Sequence, residues 1–188
     1  SGLRPAPAVQ VLTDVTNPLC GPRGAAAVFG PQKGLVSAED ISATDAALAR
    51  LADLLGLDPE LPGAGAAGGT GGALVAWGGM LAPGAGEVAA LIGLAEAIED
   101  ADVVVTGEGS YDGQSGDGKV PSFIAGLAAS AGAPAFLAAG RITADADTSL
   151  FAASVSLTDL AGSADAALTE PARWLRAAGA ALARQLRR

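Results

Sequence analysis

The chain has 188 residues, enough for one sizeable core or two small lobes, and hydrophobic residues make up 50% of it against 16% charged, which argues against disorder. Eleven Lys and Arg stand against 20 Asp and Glu, a formal net charge of −9 that disfavours nucleic acid and anionic membrane surfaces as partners. There is no histidine and one cysteine, Cys20, so an internal disulfide, a Cys/His metal site, and Ser-His-Asp or Cys-His catalysis from this chain alone are all excluded.

In chain order, Ser1-Gly2-Leu3-Arg4-Pro5 carries no apolar run like a secretory leader, and an opening without Met reads as a processed or cloned piece. Val9-Gln10-Val11-Leu12-Thr13 predicts a strand, followed from Asp14 to Gly24 by a polar loop punctuated by Asn17-Pro18 and Gly21-Pro22. Residues 24–30 predict a short helix stopped by Pro31. Ser37 or Ser42 caps a helix to about Leu55, with Leu48, Leu51, Leu54 and Leu55 as its apolar stripe and Gly56 as its stop. The glycine-rich run 62–72 leads into a helix over 73–77, and another helix is expected over 87–99. Residues 102–106 read as a buried strand, 121–131 as a helix with Pro121 in its first turn, and 135–139 as a strand ended by Gly140. A weaker strand over 152–157 precedes a terminal helix over 164–188, whose arginines suit its C-terminal dipole. Trp77, Met80 and the leucine stripe are expected in the core, and Cys20 as a small buried hydrophobe.

Two charge-free stretches are long enough to span a membrane, but 61–86 contains ten Gly with Pro62 and Pro83, and 120–140 is broken by Pro121 and Pro134. The protein is therefore expected to be soluble and cytoplasmic, with no nucleic acid and no membrane among its partners. Alternation of strands and helices from residue 100 onward predicts an α/β fold with a parallel, Rossmann-like sheet in 100–188, after a Gly-rich α/β lobe in 1–99.

Ala fills 45 positions and Arg outnumbers Lys nine to two, as a GC-rich coding bias would produce. The scarce residue types that survive this bias cluster: Asn17 and Lys33 in one segment, Tyr111 and Lys119 in another, so both segments look chemically constrained. Each also begins just after a predicted strand, where open parallel sheets place their ligands. The loop 107–119 carries Glu108, Asp112, Asp117 and Lys119 among glycines that let backbone N–H groups approach a ligand, a composition suited to phosphate and Mg²⁺. Its alternative is a solvated acidic loop. The run 63–72 matches neither a Walker nor a GxGxxG pattern, and reads either as an anion-binding turn before a helix or as a tight packing turn.

Asp14-Val15-Thr16-Asn17-Pro18-Leu19, Gly21-Pro22-Arg23-Gly24-Ala25 and Val28-Phe29-Gly30-Pro31-Gln32-Lys33-Gly34 resemble the bacterial type I glycerate kinases. So do Pro62-Gly63-Ala64-Gly65-Ala66-Ala67-Gly68-Gly69, Thr106-Gly107-Glu108-Gly109-Ser110-Tyr111-Asp112-Gly113-Gln114-Ser115 and Gly118-Lys119-Val120-Pro121, in matching order and spacing. The resemblance runs from Val11 to the end and covers the C-terminal half of such enzymes. It implies ATP-dependent phosphorylation of D-glycerate with Mg²⁺ by a two-domain α/β protein with its site in a cleft. Residues 1–99 would belong to an inserted middle α/β domain and 100–188 to the C-terminal part of a Rossmann-like domain.

Residue chemistry and motif position then suggest the roles. Asp112 is the candidate base or metal ligand, and Lys119, with Lys33, stabilises phosphate or carboxylate charge. Asn17, Lys33 and Gln114 are expected at the substrate, Gly65, Gly68, Gly69, Gly107 and Gly109 at the phosphates, and Asp14 and Glu108 at Mg²⁺. The expected partner is the N-terminal half of the enzyme or another copy of this chain, without which it should be inactive. The alternatives are a non-catalytic ligand-binding or interaction module that needs a partner chain, and a sugar-phosphate binding protein.

Overall fold

The computed structural model describes residues 8–113 and 120–186. Contacts divide the chain into two compact units, Ser1–Glu87 and Val88–Arg188.

In the first unit, β1 (Gln10–Thr13) pairs in parallel with β2 (Met80–Pro83), Val11 opposite Leu81. Between them lie α1 (Ala25–Phe29), a 3₁₀ turn at Pro31–Lys33, α2 (Ala38–Leu55), a 3₁₀ turn at Ala66–Gly69 and α3 (Thr70–Ala76). Helix α2 starts where the sequence signals it: the Ser37 hydroxyl accepts the Asp40 N–H at 3.0 Å, and Glu39 and Asp40 lie in the positive first turn. Gly56 ends it in the left-handed region at φ 65°.

The core of this unit gathers Leu19, Cys20, Ala52, Leu57 and Ala64, with Leu48 and Ala49 at its margin. The line Leu48, Ala49 and Ala52 faces inward, which turns Leu51 and Leu54 outward, and Leu55 is exposed at the helix end. The expected leucine stripe is thus mostly not core. Met80 (61% exposed) and Trp77 (37%) also lie at the surface, against expectation. Strand β2, absent from the sequence reading, exists because β1 offers it a parallel partner some 70 positions away.

The helix expected over 87–99 is two helices, α4 (Gly84–Leu91) and α5 (Leu94–Glu99), separated at Gly93 with φ 65°. In the second unit, β3 (Val104–Thr106), β5 (Ala135–Ala139) and β7 (Ala153–Ser156) form a parallel sheet in the order β3-β5-β7. A second parallel pair joins β4 (Ser110–Tyr111) to β6 (Arg141–Ile142). The α/β class with parallel strands is the one expected.

Helix α6 (Val120–Ser130) covers one face, packing Ala125 and Ala128 on Ala135, Leu137 and Ala139 of β5. On the other face Val155 packs with α7 (Leu157–Ala161), α8 (Ala164–Thr169) and α9 (Pro171–Gln185) through Leu157, Ala167, Ala178 and Trp174. The single helix expected over 164–188 is therefore two, α8 and α9, and α7 precedes them as a helix the sequence reading did not include. Ser156 and Ser163 cap α7 and α8, and Pro171 restarts the chain as the first residue of α9. Strand β3 is less buried than expected, because Val105, on the Phe136 side of the sheet, is 58% exposed. No helix among the described residues is long and apolar enough to cross a membrane.

Candidate functional site

Beyond the carboxyl end of β3 the chain stays close to the chain leaving β5. The Glu108 carbonyl accepts the Gly140 N–H at 3.0 Å, the Gly109 carbonyl accepts that of Arg141 at 3.1 Å, and the Tyr111 carbonyl accepts that of Thr143 at 3.0 Å. This approach needs glycine on both sides: a Cβ on Gly107 would fall on the Ala138 carbonyl oxygen, and one on Gly140 on the Gly109 carbonyl oxygen. Tyr111 is buried, its ring edge-on to Phe151 at 5.6 Å and its hydroxyl donating to the Asp147 carbonyl at 3.1 Å. The scarce tyrosine of this segment is thus a core residue. Because Tyr111 and its partner Ile142 face the core, their neighbours Ser110 and Arg141 turn away from it, and Arg141 Nε donates to Ser110 Oγ at 2.7 Å.

Carboxylates line the same loops. Glu108 is half-buried, and its Oε1 is shielded from solvent with no hydrogen-bond partner among the described residues. A carboxylate oxygen in that condition calls for a donor or a cation. Asp112 is half-buried and acts on the charge of Asp145. Asp145, which is exposed, is held below the ordinary aspartate value, first by the Thr143 hydroxyl and then by its own and the Gly113 backbone N–H groups. Burial and the charge of Asp112 act in the opposite direction. Gln114 and Lys119, expected at the substrate and at the transferring phosphate, lie outside the described residues.

In the first unit, the loop after β1 and the glycine-rich turn are packed backbone to backbone. The Asn17 side-chain amide donates to the Arg23 carbonyl at 2.8 Å, and the Asn17 carbonyl accepts the Gly65 N–H at 2.9 Å. A Cβ on Gly65 would fall on the Pro18 carbonyl oxygen, and one on Gly69 (φ 101°) would lie 2.8 Å from Leu19 Cδ1. Gly68 (φ 72°) and, in the second unit, Gly109 have no atom of the described residues within 4 Å of where a Cβ would stand. Asp14 and Lys33 are exposed. Cys20 is buried, and its thiol is pushed up by burial and then by the charges of Asp45, Glu60 and Asp53, as befits an inert thiol.

Of the residues singled out in the sequence, Asn17 and Gly65 are joined in the first unit, and Gly107, Glu108, Gly109 and Asp112 follow β3 in the second. Asp14 and Glu108, the two candidates for a metal, belong to different units. Among the described residues no group of three or more His, Cys, Asp or Glu could hold a metal ion. The sequence reading missed Arg141, Thr143 and Asp145. The signal was present: Gly140-Arg141-Ile142-Thr143-Ala144-Asp145 follows a predicted strand, the same rule that drew attention to the other two loops.

Residues 3–187 match the Glycerate kinase family. The chain is 41% identical over 145 residues to the glycerate kinase of Haemophilus influenzae, a match covering 74% of this chain and 38% of that protein. It is 43% identical over 143 residues to the glycerate 2-kinase of Escherichia coli, covering 73% and 37%. A crystal structure assigned as glycerate kinase 2 from Salmonella typhimurium LT2 superposes with a TM-score of 0.63 at 42% identity, over 79% of this chain and 40% of that one. The chain thus spans well under half the length of these relatives. With the family match running over almost all of its residues, the chain belongs to the glycerate kinase family.

Proposed function

We propose that the protein serves the phosphorylation of D-glycerate to phosphoglycerate with ATP as donor, this chain supplying the C-terminal half of the enzyme. The observation that carries the reading is the family match over residues 3–187. Phosphoryl transfer asks a protein for position and charge neutralisation rather than for covalent chemistry. Asp112 would accept the proton of the attacking glycerate hydroxyl as its oxygen bonds the γ-phosphorus and ADP leaves. Lys119 and Lys33 would neutralise phosphate or carboxylate charge, and Gln114 would hold a glycerate hydroxyl. Asn17 would do the same with its Oδ1 and its second Nδ2 hydrogen, since the first is engaged by the Arg23 carbonyl.

The donor set fits Mg²⁺ best at Glu108, where a shielded carboxylate oxygen has no partner among the described residues. Mg²⁺ is commonly held by one or two carboxylates besides phosphates and water, Asp14 is the alternative candidate to Glu108, and the ion when bound would offset phosphate charge. Gly68 and Gly109 are the candidate phosphate-binding glycines with room for a ligand, whereas Gly65, Gly69 and Gly107 already have a packing reason to be glycine.

The remaining half would come from an N-terminal partner or from a second copy, in the cytoplasm. The chain's share of its relatives' length also favours a second reading, a non-catalytic ligand-binding module that works only with a partner chain. The test is turnover of ATP with D-glycerate by the 188-residue chain and by a complete enzyme that contains it. Glycerate-dependent ADP release by the complete enzyme and none by the chain alone is expected. No turnover in either would overturn the reading.

A further inference from the structure

We propose that Arg141 binds the carboxylate of the acceptor substrate and that Ser110 fixes it for that task, an inference that rests on the glycerate reading above. Arg141 stands one residue past Gly140 at the carboxyl end of β5, the edge at which parallel sheets take their ligands. Its backbone is tied to the Gly109 carbonyl, and the pairing of Tyr111 with Ile142 in the core sends its side chain to the outer face beside Ser110.

The hydrogen bond from Nε to Ser110 Oγ, 2.7 Å long, engages one edge of the guanidinium. The two terminal nitrogens remain as a planar fork, and their geometry matches a carboxylate in a way a lysine's does not. No ion pair to Arg141 occurs among the described residues, although Glu108, Asp112 and Asp145 lie on the neighbouring loops.

Charge decides between the two anions of the reaction. The guanidinium fork of Arg141 can pair with one carboxylate, whereas the several charges of a nucleotide triphosphate, approaching the three carboxylates of these loops, need a cation of their own. The glycerate carboxylate brings no metal and must find its cation in the protein.

The test has a binding arm and a kinetic arm. The full chain, labelled with ¹⁵N in its arginines, is titrated with D-glycerate, with acetate, with glycerol and with inorganic phosphate, and the Arg141 Nε resonance is identified by its loss in Arg141→Lys. D-glycerate and acetate should shift that resonance and glycerol should not. In the complete enzyme, Arg141→Met should raise the glycerate KM at least about tenfold, the scale of one lost charge-assisted hydrogen bond, with the ATP KM unchanged. Arg141→Lys should recover part of the loss, and Ser110→Ala should fall between wild type and Arg141→Met. A resonance moved by phosphate and by neither carboxylate, or a rise confined to the ATP KM, overturns the proposal. A shift with acetate but no preference for D-glycerate leaves Arg141 as a carboxylate site and instead refutes glycerate as the substrate.

Discussion

The Tyr111 hydroxyl donates to the Asp147 backbone carbonyl at 3.1 Å and so ties the strand after Glu108 to the loop beyond β6. Tyr111 itself is held by the packing of its ring against Phe151. Tyr111→Phe keeps that packing and leaves one carbonyl without its donor, at a cost of about 1 kcal/mol. Tyr111→Ala removes the ring from a fully buried site and should cost about 3–5 kcal/mol. Chemical denaturation of the two variants measures the difference. Equal losses would mean that the hydroxyl, and not the ring, holds the loop.

The glycines of the two motifs divide by what surrounds them. Gly107→Ala places a methyl on the Ala138 carbonyl and should destabilise by about 1–3 kcal/mol before any ligand is considered. Gly109→Ala meets open space and needs no left-handed backbone, so its thermal midpoint should stay within a degree or two of wild type. If Gly109 contacts phosphate, Gly109→Ala weakens ATP binding with the fold intact, as calorimetry on the folded variant would detect. A large stability loss in Gly109→Ala would contradict the open space around it.

Asp145 titrates below the ordinary aspartate value of 3.8, with the Thr143 hydroxyl the leading cause. A carboxyl whose folded value is depressed adds stability that is present above its unfolded value, near 3.8, and is lost as pH falls through the lower folded value. Thr143→Val should therefore raise the Asp145 midpoint and narrow that acid-side loss. A carboxyl-carbon NMR titration reads the midpoint directly, and an unchanged value would show that the backbone N–H groups alone hold it down.

Asp112→Asn retains shape and removes the capacity to accept a proton. In the complete enzyme it should lower kcat at least about 100-fold and move the ATP KM far less. A rise in the ATP KM with kcat preserved would instead make Asp112 a nucleotide-binding residue. Lys119→Ala should likewise lower kcat at least about 100-fold, the usual scale for a lost charge-stabilising donor in a closed site.

Local rules were enough wherever a signal acts on its own few residues. Ser37 capping α2, Gly56 stopping it and Pro171 starting a helix are properties of short backbone stretches; the sequence alone showed the stop at Gly56 and offered Ser37 as one of two caps, with Ser42. The strand over 135–139 was readable because a run of apolar residues ended by Gly140 has few other uses. The motifs around Asn17 and Glu108 carried the family in the same way, since their residues and spacing are written in the chain.

What depends on a distant partner was decided only in three dimensions. Four residues ending in Pro83 become β2 because β1 lies beside them, and Ser110 meets Arg141 because β4 and β6 pair across 31 positions. The same holds for burial: Leu51 and Leu54 are as apolar as Leu48, yet the small Ala52 marks the line on which α2 packs. A side chain's hydrophobicity is local, but its exposure is set by whatever else folds against it, and Tyr111 therefore read as chemistry in the sequence and stands in the structure as core.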